Sequence, residues 1–360
     1  MGLFSGKSGK MVGVDISSTG IKLVELARRR TGFELTAMAM MPLPRDAIVE
    51  NTIVDSAAVI QTLIETVAQA GISNKNVVLS MSGNVVIIKV ITLPLSTEFE
   101  LEPLIELEAD QHVPFEVDDV FLDFSIQGMN ADDPEMMDVV LVACKREAVE
   151  DYQMVLNEAG LQAKCMDCTV FAIENAAEIS SQHDVPIVGD ALPPDGDAEV
   201  HALVNIGANM MNINVLINGR MAFVRDQFFG GQNLTEEIQR EHELSHQEAE
   251  TMKIERFSEV NPDALERFYG GITSELIRSL DFYSASKAEF PVRKILLSGG
   301  SSLIPGIATE IEQRLGIESV VVNPMENIMI DANKFDVAHL QRIGPMLMVP
   351  VGLALRNFDT

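Results

Sequence analysis

The chain of 360 residues is 47% hydrophobic and has a formal net charge of −28, which predicts about two globular domains. Such a charge repels nucleic-acid phosphates and anionic lipid head groups, so we expect neither as a partner. No segment approaches the roughly 20 apolar residues of a membrane span, and three cysteines are typical of a reducing compartment. We therefore expect a cytoplasmic protein without direct membrane insertion, and the N-terminal residues lack the apolar run of a secretory signal.

The stretch GVDISSTGIKLVEL, residues 13–26, predicts two apolar strands joined by the turn SSTG, residues 17–20. A plain two-residue hairpin turn favours Asn-Gly or Asp-Gly, because its residues need positive φ, and three hydroxyl side chains do not meet that need. They would suit an anion held by backbone N–H groups and hydroxyl donors, with Asp15 beside it to anchor a cation. On these residues alone, a plain polar turn is an equally good interpretation.

The elements that follow complete half of a mixed sheet. A third strand is predicted within RRRTGFELTAMAMMPLP, residues 28–44, and a fourth in NVVLSMSG, residues 76–83. Between them Asp55 caps a helix that ends at Gly71. The apolar stripe of this helix is expected at Val59, Ile60, Leu63, Ile64, Val67 and Ala68. Residues 1–83 therefore predict the core of a first lobe.

Residues 84–166 predict a separate subdomain with the order β-α-β-β-α-β. Thr97 and Glu100 form a capping box for its first helix, and residues 146–158 predict its second. A helix over 167–182 would return the chain to the first lobe, and the acidic residues 183–199, rich in proline and glycine, predict a linker. The predicted strands are VVIIKVITLP (85–94), VFLDFSIQG (120–128), DVVLVACK (138–145) and QAKCMDC (162–168).

A second hairpin of the same kind follows the linker. LVNIGANMMNINVLINGR, residues 203–220, again reads as strand, small-residue turn and strand. Asp15 aligns with Asn205, and Leu26 then aligns with Leu216, so the register holds through the second strand. Two such turns at equivalent places predict a duplicated fold with two facing phosphate clamps.

Two glycine pairs accompany the second hairpin. FFGGQNLTEEI contains Gly230 and Gly231 before a helix with Thr235 in its first turn, and KILLSGGSSLIPGI places Gly299 and Gly300 at the end of a strand. Glycines there let a phosphate or a flat ring approach the backbone. The predicted second lobe is completed by these segments: a core at 200–241 and 291–343, a helical subdomain at 242–290, and a final helix at 344–360 that returns to the first lobe.

The sequence HELSH, residues 242–246, matches the pattern of zinc proteases. That chemistry needs both histidines on one unbroken helix. Ser245 and Glu248 form a capping box that starts a new helix between the two histidines, although Glu266 could supply a third ligand. The helix break disfavours zinc.

Two further matches are weaker. GLFSGKS, residues 2–8, has a spacer one residue too short for a P-loop, and no strand precedes it. Cys165 and Cys168 form a lone C-x-x-C, with Cys144 far away in sequence. Because no second pair completes a metal site, we interpret them as buried strand cysteines.

Taken together, these motifs resemble the nucleotide-binding fold shared by actin, heat-shock chaperones and sugar kinases. Across nearly the whole chain they resemble the PilM family of actin-like proteins of type IV pilus assembly and twitching motility. The first hairpin and the Gly299-Gly300 strand end are shared by the superfamily, whereas LIELEADQHVPFEVDDVFLDFSIQG and the closing VPVGLALRNFD are typical of PilM. The resemblance implies an α/β, actin-like ATPase (ribonuclease H-like, duplicated) fold with two lobes, an FtsA-type inserted subdomain, and ATP with Mg²⁺ in the cleft.

The resemblance also implies which residues hold the nucleotide. Asp15 would orient Mg²⁺ through its waters, because this small cation keeps much of its hydration shell. The other implied cofactor-binding residues are Ser17, Ser18, Thr19 and Lys22 at the first turn, Asn205, Gly207, Ala208 and Asn209 at the second, Gly230, Gly231 and Thr235, Glu275 and Arg278, and Gly299, Gly300 and Ser301.

One position departs from the superfamily. The second clamp usually has Asp where this chain has Asn205. A neutral amide contributes no charge to Mg²⁺ or to a developing phosphoryl charge. The substitution favours ATP holding over rapid turnover, so we expect at most a slow ATPase, although a neighbouring carboxylate could compensate.

The resemblance finally implies partners. A groove between the insertion and the first subdomain would bind the N-terminal cytoplasmic peptide of PilN, an inner-membrane protein, through Leu104, Glu108, Gln111 and Phe115. Each of the helix residues Leu104, Ile105 and Leu107 could instead pack the insertion core. Pilus motor ATPases, the inner-membrane platform protein and other copies of the chain are further candidate partners. The protein would thus lie at the inner membrane only through a partner.

Two other classes of function stay open. One is a membrane-tethered filament protein like FtsA, which the absence of a basic amphipathic tail before Thr360 disfavours. The other is a phosphotransferase of the sugar-kinase type, for which no catalytic Asp was found.

Overall fold

The computed structural model describes residues 11–130, 133–180, 198–287 and 289–356, which form two units. Unit 1 contains the residues up to Gln182 and those from Asn323 onward, and unit 2 contains His183–Val322. The P-loop-like segment 2–8 and all but the last two residues of the predicted linker, 183–199, lie outside the described residues. Within the described part of the chain, no helix has the length and hydrophobicity needed to cross a membrane.

The first segment of unit 1 begins with the predicted hairpin and a third strand. The elements are β1 (Val12–Ser17), β2 (Gly20–Arg29), β3 (Gly32–Pro42), β4 (Ile48–Val49), β5 (Thr52–Ile53), α1 (Ser56–Ala70), β6 (Asn76–Met81), β7 (Val86–Pro94), α2 (Glu98–His112), β8 (Val120–Met129), β9 (Met136–Lys145), α3 (Arg146–Glu158), β10 (Gln162–Cys168) and α4 (Thr169–Ser180). In the main sheet the strand order is β10-β6-β1-β2-β3, with β1, β2 and β3 antiparallel and β1, β6 and β10 parallel.

Helix α1 has the predicted ends, but its buried stripe is shifted. The Asp55 carboxylate accepts a hydrogen bond from the Ala58 N–H, and Gly71 ends the helix at φ 65°. Ile64 and Ala68 are exposed, contrary to the prediction. Thr62 and Thr66 are buried instead, because their hydroxyls donate to carbonyls four residues earlier, at 2.9 and 2.7 Å.

The inserted subdomain is smaller than predicted. It is the three-stranded antiparallel sheet β7-β9-β8, whose inner face packs against Leu101 and Ile105 of α2. The prediction that 84–166 forms one unit was wrong for α3 and β10: β10 pairs with β6, and Tyr152 of α3 packs in the core with Val12. Parallel strands such as β6 and β10 need a crossover connection between them. Helix α3 completes that crossover, so the inserted subdomain ends at Lys145.

Unit 2 repeats the architecture of unit 1. Its elements are β11 (Val200–Ile206), β12 (Met211–Ile217), β13 (Arg220–Gln227), α5 (Gly231–His242), α6 (His246–Glu255), α7 (Pro262–Ser286), β14 (Lys294–Ser298), α8 (Ile307–Leu315) and β15 (Glu318–Val321). The five-stranded sheet has the order β13-β12-β11-β14-β15, which matches β3-β2-β1-β6-β10 strand for strand.

The chain returns to unit 1 at Asn323, earlier than the predicted 344. The reason is β16 (Ile328–Met329), which pairs in parallel with β3 and becomes the sixth strand of the main sheet. Helices α9 (Val337–Ile343) and α10 (Met348–Leu355) follow. Residues 323–343, assigned to the second lobe by sequence, therefore belong to unit 1.

Helix α10 confirms the predicted final helix, and two glycines let it pack closely. A Cβ at Gly352 would lie 1.7 Å from the carbonyl oxygen of Ala172 on α4, and a Cβ at Gly13 would lie 2.1 Å from that of Pro350. Since no side chain tolerates such distances, both positions require glycine. The helix is buried on all sides, which places it inside the core of unit 1.

Candidate functional site

An acidic and a basic residue lie opposite each other on the two strands that flank the first turn, residues 17–20. Asp15 on β1 and Lys22 on β2 are direct neighbours in the ladder, and the Lys22 Nζ lies 2.7 Å from the Asp15 Oδ2. Both side chains are mostly covered, so solvent screens this pair less than a surface pair. The turn therefore carries a fixed carboxylate and a fixed ammonium at the end of β1.

The three hydroxyl residues of this turn have different settings. The Ser17 hydroxyl donates to the Gly20 carbonyl oxygen at 2.9 Å and closes the turn. Ser18 is half-buried, and Thr19 is exposed at the tip, where its carbonyl oxygen accepts from the Leu43 N–H at 3.1 Å. Ser17 thus has a structural role, whereas the tip residues lie nearer to solvent.

A polar row that sequence reasoning missed continues across the sheet from Asp15. Val14 pairs with Leu79, so Ser80 on β6 is next in register to Asp15, and Asp167 on β10 pairs with Ser80. The fully buried Asp167 carboxylate binds Arg356 through two hydrogen bonds of 2.6 and 2.9 Å. The row could not be found from spacing, because its members are far apart in the chain.

The second turn has the same register and a different charge. Asn205 on β11 pairs with Asn212 on β12, where the first hairpin has Asp15 and Lys22. The Asn205 Nδ2 donates to the Asn212 Oδ1 at 3.1 Å, and the Asn212 Nδ2 donates to the Asp226 Oδ1 at 2.8 Å. Asp226 on β13 is the neighbouring carboxylate that the sequence left unidentified.

Three loops of unit 2 meet at this turn. The carbonyl oxygens of Gly207 and Ala208 accept from the N–H groups of Gly231 and Gln232, at 3.0 and 2.8 Å. The Ser301 hydroxyl donates to the Gly207 carbonyl oxygen at 2.7 Å. The structure thus brings together the turn, the start of α5 and the loop after β14, as the predicted site residues require, and Asn209 lies at the exposed tip.

The glycines at these loops allow the close approach. A Cβ at Gly230 would lie 2.5 Å from both turn carbonyl oxygens, and one at Gly231 would lie 2.4 Å from the Ser301 Oγ. Gly299 has φ 87°, and a Cβ there would lie 2.5 Å from the Ile206 carbonyl oxygen and 2.8 Å from the Asn205 Oδ1. Gly230 and Gly231 therefore hold the turn in place, and Gly299, itself buried, lets the ends of β11 and β14 approach each other closely. Gly300 is exposed beside it.

Thr235 is fully buried and belongs to a structural network. Its hydroxyl pairs with Glu250, and the Lys253 ammonium lies 2.7 Å from Thr235 and 2.6 Å from Glu250. These bonds join α5 to α6. Thr235 thus has a packing role that the sequence did not indicate.

Glu275 and Arg278 lie one turn apart on α7. Their side chains form an ion pair with an N–O distance of 3.2 Å, and Arg278 is the more exposed of the two. The Ser279 hydroxyl donates to the Glu275 carbonyl oxygen at 2.8 Å. The pair is available as a surface contact, and its nucleotide role stays a prediction.

The helix break in HELSH is confirmed. His242 ends α5, His246 begins α6, and Ser245 caps α6 with its capping-box partner Glu248. His242 accepts from the Asn261 N–H at 3.2 Å, whereas His246 lies 3.0 Å from the Gln232 side chain. Among the described residues, no three His, Cys, Asp or Glu side chains are grouped to bind a metal.

The cysteines have covered, unreactive settings. Cys168 is buried and Cys165 is half-buried on β10. Burial, with the nearby Asp167 carboxylate, raises the pKa of Cys165, and burial raises the pKa of Cys144 to about 11. Because the thiolate is the reactive form, these positions disfavour redox chemistry.

The insertion helix α2 divides its apolar residues between core and surface. Ile105 is buried, but Leu104 and Leu107 are 46% and 61% exposed. Glu108 is partly covered and lies 3.8 Å from His112, Gln111 is exposed, and Phe115 is half-buried. The alternative that these residues pack the insertion core is therefore confirmed for Ile105 and was wrong for Leu104 and Leu107. Phe115 also packs against that core.

Nearly the whole chain is similar to known proteins. A family model described as "Type IV pilus assembly protein PilM" matches residues 13–358. The solved PilM–PilN type IV pilus biogenesis complex is similar with TM-score 0.84 and 28% identity, over 98% of this chain and 99% of that chain. Ethanolamine utilization protein EutJ from Carboxydothermus hydrogenoformans has TM-score 0.55 and 16% identity, over 96% and 89% of the two chains. MreB5 of Spiroplasma citri, bound to ADP, has TM-score 0.52 and 10% identity, over 98% and 100%. These likenesses show the actin-like ATPase fold.

Proposed function

The chain belongs to the PilM family of type IV pilus assembly proteins, and we propose that it is an assembly scaffold that binds Mg-ATP and captures the N-terminal cytoplasmic peptide of PilN. The match over residues 13–358 carries the assembly role. The two further activities are supported by different parts of the molecule, the paired turns and the helix α2.

Nucleotide binding is supported by the chemistry of the two turns. The first offers a carboxylate, an ammonium and the hydroxyls of residues 17–19, which together suit a hydrated divalent cation and a phosphate. The second offers the small residues Gly207 and Ala208, with Asn209 and Gly300 exposed nearby, which suit close approach of a phosphate or a nucleoside. MreB5, which shares the fold, is described in complexes with ADP and AMPPNP.

The cation would be held mainly by Asp15. A cluster of acids is not required, because Mg²⁺ keeps several waters and uses one or two carboxylates. When bound, Mg²⁺ neutralises charge on the phosphate oxygens. Lys22 compensates the Asp15 charge when the cation is absent and would contact a phosphate when it is present.

Hydrolysis is proposed to be slow. The second turn has neutral Asn205 and Asn212 where the first has an ion pair. A neutral amide contributes less than a carboxylate to orienting a cation or an attacking water. The nucleotide would therefore act as a held ligand.

Peptide capture is assigned to the exposed face of α2. Leu104 and Leu107 offer an apolar surface, beside Glu108, Gln111 and the half-buried Phe115. Residues 98–123 contain ten Asp or Glu and no Lys or Arg. Cytoplasmic segments next to a membrane helix are enriched in Lys and Arg, so this face is complementary in charge to such a peptide.

The peptide also determines where the protein would work. A net charge of −28 opposes anionic lipid, so PilN would tether the chain to the inner membrane. Pilus motor ATPases, the platform protein and further copies of the chain are proposed as additional partners.

Titration of a PilN N-terminal peptide tests the capture site. Glu108→Ala with Gln111→Ala, or Leu104→Ser with Leu107→Ser, should weaken binding about tenfold or more without lowering Tm. Ile64→Ser on α1 is the matched control, because Ile64 is also an exposed aliphatic residue. Unchanged affinity in both double variants, or a crosslink of the peptide to residues 240–290, would contradict the site.

A further inference from the structure

Ser80 lies beside Asp15 on the same face of the main sheet of unit 1. In the parallel ladder of β1 and β6, Val14 pairs with Leu79, and both of these side chains belong to the hydrophobic core. Because side chains alternate along a strand, Asp15 and Ser80 at the next register position point together to the opposite face. Both residues are half-buried, so they lie at the border between the core and solvent.

The two carboxylates that flank Ser80 differ in how far they are satisfied. The Asp167 oxygens accept two hydrogen bonds from Arg356, and the Asp167 Oδ1 also accepts from the Cys168 N–H at 2.7 Å. Asp15 accepts from Lys22 through its Oδ2, and among the described residues its Oδ1 has no hydrogen-bond donor. Of these two carboxylates, only Asp15 therefore has an oxygen available to a ligand.

Two hydrogen bonds fix the direction of the Ser80 hydroxyl. The Thr169 Oγ1 lies 3.0 Å from the Ser80 Oγ and 3.3 Å from the Met81 carbonyl oxygen. A hydroxyl group has one hydrogen, and a carbonyl oxygen only accepts. Both bonds therefore form together only when Thr169 donates to Met81 and Ser80 donates to Thr169. The Ser80 oxygen is then left as an acceptor next to Asp15.

Two neighbouring acceptors suit a water that is bound to a cation. Such a water has its oxygen on the metal and presents two hydrogens outward, one for each acceptor. Adjacent strands lie about 4.8 Å apart, a spacing that one water bridges between two oxygens. A phosphate oxygen instead requires a donor, so Asp15 and Ser80 together favour a hydrated cation over bare phosphate.

We propose that Ser80 accepts a hydrogen bond from a water of the cation's hydration shell, and that Thr169 is the positioning residue that holds the Ser80 oxygen in this direction. The inference rests on the proposed Mg-ATP site and deepens it by adding a second acceptor beside Asp15. All of its residues lie in unit 1, at the ends of β1 and β6 and at the start of α4. Because serine has no charge, it sets the preference for the magnesium complex and leaves the binding of free ATP unchanged.

The first test compares ATP affinity with Mg²⁺ and with EDTA. Ser80→Ala removes one acceptor, so Mg-ATP affinity should fall about threefold to tenfold, and the affinity with EDTA should stay the same. Ser180→Ala is the matched control, because it removes another half-buried serine hydroxyl, at the opposite end of α4. Unchanged Mg-ATP affinity in Ser80→Ala, or an equal loss with Mg²⁺ and with EDTA, would overturn the inference.

The second test concerns the direction of the Ser80 hydroxyl. Thr169→Val removes the acceptor of the Ser80 hydrogen, which then turns to the Asp15 carboxylate, so the magnesium preference should fall as it does in Ser80→Ala. Thr169→Ser retains the hydroxyl and should retain the preference. In the Ser80→Ala background, Thr169→Val has no oxygen to orient and should change the preference no further. Equal falls in both backgrounds would show that the two residues are not coupled and would overturn the inference.

The third test distinguishes contact with the hydration shell from direct coordination of the metal. The ammine ligands of cobalt hexammine stay on the metal and donate hydrogen bonds outward, as the waters of Mg²⁺ do. Ser80→Ala should therefore weaken binding of the cobalt hexammine complex of ATP by about the same threefold to tenfold. Unchanged binding of this complex, with weaker binding of Mg-ATP, would show direct coordination and overturn the inference.

The failure of this inference is distinguishable from the failure of the proposed function. If the unmodified protein binds ATP neither with Mg²⁺ nor with EDTA, the nucleotide proposal fails, and the role of Ser80 fails with it. If the unmodified protein binds Mg-ATP and Ser80→Ala binds it equally well, only the role of Ser80 is overturned.

Discussion

The turns of the two units, residues 17–20 and 207–210, share strand order and register but differ in their charges. The Asp15–Lys22 pair and the Asn205–Asn212 pair occupy the same ladder positions in sheets of the same order. The first is an ion pair, whereas the second is a pair of amides with an acid one strand farther away. Duplication has thus retained backbone geometry while the chemistry of the two turns differs.

The turns also differ in how they are supported. The carbonyl oxygens of Gly207 and Ala208 are bound by the start of α5. The first turn is closed by the Ser17 hydroxyl and one bond from Leu43. We infer that the second turn is the more rigid and the first depends more on its charged pair, and four experiments test this contrast.

Removal of the first acid should have the largest effect. Asp15→Ala deletes the carboxylate that would order the cation's waters, so Mg-ATP affinity should fall about tenfold to hundredfold. With EDTA the affinity should hold or rise, because Lys22 loses its partner at 2.7 Å and is free to pair with phosphate. Calorimetry under both conditions measures this, with Lys22→Met as the control that weakens both. Equal Mg-ATP affinity in Asp15→Ala would remove Asp15 from the site.

Rigidity of the second turn is tested at Gly299. Ala at this position must adopt φ 87° and place its Cβ 2.5 Å from the Ile206 carbonyl oxygen, so the free energy of unfolding should fall by about 2 kcal/mol. Gly316→Ala is the control, because it also has positive φ but no atom within 4 Å; it should cost about 1 kcal/mol. Urea denaturation that gives equal losses would show that the close approach is not constrained.

Sequence reasoning predicted the elements whose signals are local. The caps at Asp55 and Ser245, both hairpins and the final helix follow from patterns within a few residues and are confirmed. The shared register of the two hairpins could also be predicted from the sequence, because it depends on two short segments that resemble each other.

Pairing between elements that are far apart in the sequence could not be predicted from such local patterns. An amphipathic helix such as α3 has the same pattern whichever sheet it covers, so its place beside α1 could not be read from residues 146–158. The two-residue strand β16 has no periodicity at all, which explains the misplaced boundary at Asn323. Asp226 lies beside Asn212, and Asp167 beside Ser80, only because their strands pair in the sheet.

The contrast in charge predicts slow hydrolysis. With amides at the second turn, turnover of the purified chain should stay below about 1 s⁻¹, the lower end of ordinary enzymes. The double variant Asn205→Asp with Asp226→Asn, which moves the carboxylate from β13 to β11, should raise turnover about tenfold. This corresponds to a change of about 1.4 kcal/mol in the activation barrier. Phosphate release assays of both proteins measure this. Wild-type turnover in the ordinary range would contradict the holding role.

The smallest expected effect distinguishes two matched serines. Ser80 and Ser298 lie beside Asp15 and Asn205 on the next parallel strand. Ser298 is fully buried and donates to the Asn205 Oδ1, so Ser298→Ala should lower the free energy of unfolding by about 1 kcal/mol.

Ser80 is half-buried, and its hydroxyl lies 3.0 Å from the Thr169 hydroxyl. That hydroxyl also reaches the Met81 carbonyl oxygen at 3.3 Å. Ser80→Ala therefore leaves Thr169 a partner and should cost about 0.5 kcal/mol or less. Urea denaturation of the two variants measures the difference. A larger loss at Ser80 would reverse the inferred order of rigidity of the two turns.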